Sequence, residues 1–357
     1  MALRMTEEWD KAFPKSEKVN HRKVSFKNHF GIELAADLYE PKGAAGVVGA
    51  AGGRLPAIAV AGPYGAVKEQ SSGLYAQEMA ERGFVTLAFD PSYTGESGGE
   101  PRYVTSWDLN VEDFQAAVDY LCSLENVDAD KISIIGVCGW GGVALQTVCL
   151  DTRIKATVYA TMYDMPRVAR NGYFDEGDSA EARLKAKEAV NRQRTEDFKN
   201  GEMKLAGGVV DPLPEDAPQF VKGYHAYYKT PRGYHARSLN SNGGWAMTGN
   251  ISLMNTTAFT NVNEIPGAVL IIHGEKAHSR YMGEDAFARM TGFKYETNNA
   301  PAPYTGNAAL GETKVGNKEL LIVEGATHCD LYDNFEKIPF DKIEEFIKNN
   351  VGGKNEE

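Results

Sequence analysis

The chain has 357 residues, 42% of them hydrophobic and 24% charged, with a net charge of −11. That balance describes a globular chain rather than a disordered one, and the negative charge speaks against a nucleic-acid or anionic-membrane partner. The richest apolar stretch, 44–62, is broken by Arg54, Pro56 and several glycines, so no membrane span is expected.

The length suits one large α/β domain carrying an insertion. The start, MALRMTEEWDKAF, lacks the apolar core of a secretory leader, and a cytoplasmic compartment is the expectation. Four cysteines (Cys122, Cys138, Cys149, Cys329) show neither CxxC nor Cys/His metal spacing, so no metal is expected. Cys122 and Cys149 fall on apolar helix faces and read as packed, reduced side chains.

In chain order, residues 19–26 and 32–40 read as a β-hairpin turning near Asn28–Gly31 and ending at Pro41. An Ala/Gly-rich connection (42–55) leads to the buried strand AIAV (57–60), the loop GPYGAVKEQ (62–70) and a helix from about Ser71 to Arg82. The strand FVTLAF (84–89) follows, then a long polar loop, DPSYTGESGGEPR (90–102). A helix over about 108–123 aligns Val111, Phe114, Val118, Leu121 and Cys122 on one face. ISII (132–135), GVCGWGG (136–142) and ALQTVCL (144–150) form a strand, a glycine turn and a helix, followed by the strand ATVYAT (156–161). Strands alternating with helices and apolar on both faces indicate a largely parallel sheet covered on two sides.

The rhythm breaks at 164–262, which holds charged helical sequence (EARLKAKEAVNRQR) and an aromatic, glycine-punctuated stretch (HAYYKTPRGYHARSLNSNGGWAM). It resumes with AVLIIH (268–273), a helix near Glu284–Met290, a polar loop through about Asn317 and ELLIV (319–323). A last helix carries Phe340, Ile343, Phe346 and Ile347, with Pro339 near its start and Gly352 past its end. The expected organisation is a core of residues 1–163 and 263–357 with an inserted helical lid at 164–262.

The chemistry centres on GVCGWGG. Gly136, Gly139, Gly141 and Gly142 let strand, turn and helix approach closely around Cys138, which the turn presents above the sheet edge. The helix start offers free N–H groups and a positive dipole end, which favour a thiolate. Trp140 occupies the position where this elbow usually has a small residue, and it counts among the expected substrate-binding residues. His328, in GATHCDLYD (325–333) after the last buried strand, is placed by strand order to serve as base. For the acid, the usual position after AVLIIH carries Ala277; Asp164 is favoured and Glu275 is the alternative. Backbone N–H groups of Gly139 and of Tyr64, with Gly65 next, are the expected oxyanion donors; Pro63 has none to give. Asp90, Tyr93, Gly95 and Ser97 read as residues that fix their loop, with Arg102 pairing a carboxylate there. Tyr224, Tyr227, Tyr228, Tyr234 and Trp245 line an acyl pocket or form the core of the lid.

The order of GPYG loop, DPSYTGESGG loop, GxC elbow, insertion and GATH loop resembles the α/β-hydrolase superfamily. It is most similar to its dienelactone-hydrolase-like and acyl-esterase-like branch, with a further likeness to fungal polyketide acyltransferases. The similarity runs from about residue 19 to 350 and is most specific at 62–102, 136–142 and 325–333. It implies an eight-stranded, mostly parallel sheet flanked by helices, and covalent catalysis by Cys138 and His328 without a cofactor. The expected reaction is hydrolysis of a small-molecule ester, thioester or lactone through an acyl-cysteine. The alternatives are acyl transfer at the same Cys-His site, or ligand binding with Trp140 filling the pocket. A homo-oligomer is left open.

Overall fold

A computed structural model describes residues 3–43, 53–249, 251–295 and 308–352. The Ala/Gly-rich connection read at 42–55 lies largely outside them. Two strands open the chain, β1 (Val19–Lys27) and β2 (Glu33–Pro41), as an antiparallel hairpin pairing Val24 with Ala36. Next come β3 (Leu55–Ala61), α1 (Ser71–Glu81), β4 (Val85–Phe89), α2 (Trp107–Cys122), β5 (Val127–Val137), α3 (Gly139–Val148) and β6 (Ile154–Ala160). After the long excursion come β7 (Ala268–Gly274), α7 (Arg280–Thr291), β8 (Gly311–Val315), β9 (Lys318–Val323), α8 (Asp330–Asp333) and α9 (Phe340–Val351).

These strands form one sheet in the order β1-β2-β4-β3-β5-β6-β7-β9-β8. From β4 through β9 the pairing is parallel, as in Ala59 beside both Leu87 and Ile134. β4 and β7 are buried along their whole length, as strands covered on both faces must be. On one face α1 and α9 pack Tyr75, Met79, Ile343 and Phe346 onto the sheet. On the other, α2, α3 and α7 supply Phe114, Val118, Val143 and Phe287. The α/β-hydrolase fold is therefore present.

The expected strand count of eight is corrected to nine among the described residues. β8 lies in the region read as polar loop and pairs antiparallel with β9, turning at Gly316 (φ +60°) and Asn317. As an edge strand it alternates half-buried and exposed residues, so GETKV carries no apolar run to announce it.

Between β6 and β7 the described residues make three α-helices, α4 (Met165–Asn171), α5 (Ala180–Asn200) and α6 (Gln219–Tyr228), besides short 3-10 turns. α5 is almost wholly exposed; Ser179 caps its start by accepting from the Ala182 N–H at 3.1 Å, and Gly201 (φ +73°) ends it. α6 is the one that turns inward, burying Tyr227 and Tyr228.

Candidate active site

Cys138 stands between β5 and α3 with φ 58° and ψ −127°, a conformation costly for a residue with a Cβ. Three backbone bonds hold it: its N–H donates to Ala160 O at 2.9 Å, and its carbonyl accepts from Gly141 (2.9 Å) and Tyr163 (3.0 Å). The glycines are sterically required. A Cβ on Gly136 would lie 2.3 Å from Trp140 O, and one on Gly142 would lie 2.1 Å from Tyr163 O.

The thiol is 7% exposed and borders a cavity of about 480 Å³, whose walls include Tyr64, Tyr163, Tyr224, Tyr228, Tyr332 and Trp245. The cavity has no charged residue in its lining among the described residues. The hydroxyl of Tyr332, the N–H groups of Gly139 and Tyr64 and the hydroxyl of Tyr224 lie near enough to the sulfur to favour its ionised form. Burial nevertheless outweighs these donors and pushes the thiol up to about 11. Cys138 is thus a protonated thiol at neutral pH, not the thiolate expected from the helix terminus.

His328 follows β9 and is also buried. Its Nδ1 lies 2.7 Å from Thr161 Oγ1 and 2.8 Å from Ser279 Oγ, and its Nε2 lies 3.0 Å from the Tyr332 hydroxyl. Hydroxyls both give and accept protons, so they satisfy the neutral ring and can accept from Nδ1–H when it is charged. Burial, reinforced by His278 and His273, holds the imidazole well below its usual range and so neutral. Thr161 has φ 50°, an outlier for a β-branched side chain, at the end of β6 where its hydroxyl meets the imidazole.

The expected acid is corrected. Among the described residues no carboxylate meets a ring nitrogen of His328. Asp164 instead caps α4, accepting from the Arg167 N–H at 2.9 Å. Glu275 accepts from the Gly325 N–H at 2.8 Å. The loops were the right ones to search, but hydroxyl residues a few positions away, Thr161 and Ser279, occupy the Nδ1 side.

Trp140 is corrected as well. It lies in the core between Phe89 (5.6 Å, edge-on) and Phe114 (5.3 Å) and does not border the cavity. It therefore neither binds substrate nor plugs the pocket. Arg102 meets carbonyls rather than a carboxylate, donating to Gly95 O at 2.8 Å and to Ser97 O. Of the insertion aromatics expected there, Tyr224, Tyr228 and Trp245 line the cavity, joined by Tyr173 and Phe220; Tyr227 packs behind them on Tyr332, and Tyr234 is half exposed. The Tyr228 hydroxyl is buried and meets no hydrogen-bond partner among the described residues. Tyr332 and Tyr163, both missed in the sequence, bring further hydroxyls; the only cue was Tyr332's spacing four residues after His328.

The loop bearing Tyr64 is fixed from two directions. Asn240 donates to Tyr64 O (2.8 Å) and to Gly65 O (3.1 Å, through its backbone), and Ser238 donates to Gly65 O (3.1 Å). At the loop's other end Lys68 is fully buried, with Glu69, Asp90 and Glu96 carboxylates at 2.6, 2.9 and 2.7 Å. Those three carboxylates are close enough together to ligate a cation, but the Lys68 ammonium already lies among them.

The chain belongs to the X-Pro dipeptidyl-peptidase (S15) family, whose model matches residues 31–279. It is 51% identical to the uncharacterised protein PA2218 of Pseudomonas aeruginosa, over 97% of this chain and 85% of that one. The crystal structure of PA2218 superposes with a TM-score of 0.86 at 50% identity, covering 98% and 99% of the two chains. The α/β hydrolase GrgF from a Penicillium species shares the fold with a TM-score of 0.67 at 18% identity, covering 94% and 100%. A polyketide transferase of Penicillium crustosum is 30% identical over 39% of this chain and 43% of its own. Fold and family make this a hydrolase- or acyltransferase-like α/β protein. Among the described residues no helix is long and apolar enough to cross a membrane.

Proposed function

We propose that the protein hydrolyses esters, thioesters or lactones of small, uncharged, apolar or aromatic acyl groups through an acyl-Cys138 intermediate. The observation that carries this reading is a thiol held at a strained strand-to-helix turn on the cavity wall, with the backbone N–H groups of Gly139 and Tyr64 beside it favouring negative charge. Such donors serve an oxygen that becomes negative on the carbon the sulfur attacks. The uncharged aromatic cavity favours a neutral acyl group, because a charge there would lose its hydration without a partner.

In this reading the Cys138 proton passes to His328 as the sulfur attacks the carbonyl. The oxyanion rests on Gly139 and Tyr64, and Thr161 and Ser279 accept from the Nδ1–H of the imidazolium. Collapse expels the leaving group with the proton from His328, and a water activated by the same imidazole releases the acid. Residues 164–262 act as the lid. Acyl transfer is the second reading, supported by the partial likeness to a polyketide transferase; there an alcohol or amine replaces water.

Mixing the protein with a short-chain p-nitrophenyl ester tests the core claim. A burst and a mass adduct on Cys138 are expected, both lost in Cys138→Ala with a fall in turnover of more than about 1,000-fold. Turnover that survives in Cys138→Ala would mean another nucleophile. Adding an alcohol or amine acceptor separates hydrolysis from transfer by the products formed.

A further inference from the structure

The nucleophile and the base do not share a direct hydrogen bond. His328 Nε2 instead meets the Tyr332 hydroxyl at 3.0 Å, and Tyr332 lines the same cavity as Cys138, its hydroxyl near enough to the thiol to favour the ionised form. Cys138 and Tyr332 both border the acyl cavity, whereas His328 borders a different one, of about 800 Å³, together with Thr327, Cys329 and Lys276. The phenol therefore bonds the imidazole and borders the cavity of the thiol, while the imidazole borders another.

Its placement is rigid. Tyr332 is fully buried on α8, one turn beyond His328, and its ring packs edge-on against Tyr227 (5.0 Å) and His328 (5.3 Å). A phenol O–H accepts one proton while giving another, so it can join two groups that never meet.

We propose that Tyr332 is a catalytic residue that carries the proton between Cys138 and His328. The inference rests on the reading of Cys138 as nucleophile. As the S–H bond breaks, its proton goes to Tyr332 Oη while the Tyr332 proton goes to His328 Nε2. The sulfur electron pair forms the S–C bond, and the carbonyl π pair moves onto the oxygen facing Gly139 and Tyr64. Tyr332 stays a neutral phenol before and after, and the charge that appears is shared between the oxyanion and the imidazolium. The reverse transfer, from Nε2 through Oη, protonates the leaving group.

The test uses the full chain and a p-nitrophenyl ester, reading acyl-enzyme formation by burst and mass. Tyr332→Phe is expected to slow acylation by about 100-fold or more at unchanged KM, within the range for general acid–base catalysis. The loss should not multiply with that of His328→Ala, because the two residues serve one transfer. Should Tyr332→Phe fold poorly, 3-fluorotyrosine at position 332 keeps the shape and lowers the phenol pKa. A rate that moves with the fluorine substitution supports the carrier, since a purely structural ring would not respond. Acylation that is unchanged or faster in Tyr332→Phe, with the Cys138 adduct intact in wild type, overturns the carrier and leaves Cys138 standing. Absence of any Cys138 adduct in wild type overturns both.

Discussion

On one side of the loop that carries Tyr64, Lys68 is enclosed by Glu69, Asp90 and Glu96, with Lys23 and Arg237 closing the outer edge. On the other side Cys138, His278 and His328 are equally buried among tyrosines; no charged residue lines the cavity that Cys138 borders, while the two histidines border a second cavity whose walls include Glu275, Lys276 and Arg280. The first region sets each of its charges against an opposite one, which favours the ionised forms of Lys68, Glu69 and Glu96, although burial still raises Asp90. The second keeps its thiol and imidazoles neutral by burial, with no carboxylate in hydrogen-bond contact with Cys138, His278 or His328 among the described residues. A paired cluster resists change, so it suits holding a loop. A neutral cluster gains charge only when a reaction supplies both signs at once, which suits a site where oxyanion and imidazolium appear together.

Breaking the paired side should have the largest effect on stability. Lys68→Met leaves three buried carboxylates with only the outer cations, and a loss of about 3–5 kcal/mol is expected from urea unfolding. A loss under about 1 kcal/mol would mean that Lys23 and Arg237 suffice.

Acid sharpens the comparison, because the two regions respond in different windows. Burial lowers His273 and His278 to about 3, and His328 also lies well below its usual value. A folded-state pKa below the unfolded one means the unfolded chain binds more protons, so this stability is present above pH 6.5 and is lost as pH falls toward 3. Glu69 and Asp37 are also depressed, by hydrogen bonds and nearby cations that overcome their burial, but their contribution starts to fall only below about pH 4.5. The melting temperature should therefore begin to drop near pH 6, before Glu69 and Asp37 matter, with Asp113, which burial raises to about 6, opposing part of the drop. His273→Asn should flatten the part between pH 6 and 4.5; an unchanged slope there would point away from the histidines.

The smallest effect belongs to Tyr228→Phe. Its hydroxyl meets no partner among the described residues, so removing it should change stability by less than about 1 kcal/mol, in either direction. A larger loss in thermal unfolding would reveal a bond that the neutral side depends on.

What could be read from the sequence follows from how local each signal is. The elbow was legible because its steric demands are met by neighbours in the chain: Gly136 must clear Trp140, four residues on. The parallel strands were legible because burial on both faces makes them continuous apolar runs. β8 was not, since an edge strand needs only half its residues covered. Trp140 was misplaced because the pattern marks a position on the turn and says nothing about which way a side chain leaves it. The partner of His328 was sought as an acid in the correct loops, yet two hydroxyls took the place. Serine and threonine are too common after strands to stand out, and Thr161 acquires its role through a positive φ that the sequence does not display. Tyr332 was invisible for a similar reason, since its meaning depends on Cys138, nearly two hundred residues away.

The hydrogen bonds from Ser238 and Asn240 to the backbone of Tyr64 and Gly65 carry a consequence for engineering. The segment whose aromatics shape the pocket also holds the loop proposed to supply an oxyanion donor. Exchanging residues 164–262 for the corresponding segment of a relative, to change the acyl group accepted, would at the same time detune the reaction. Selectivity and rate are thus inherited together in this chain, and a successful graft would have to bring residues 62–66 with it.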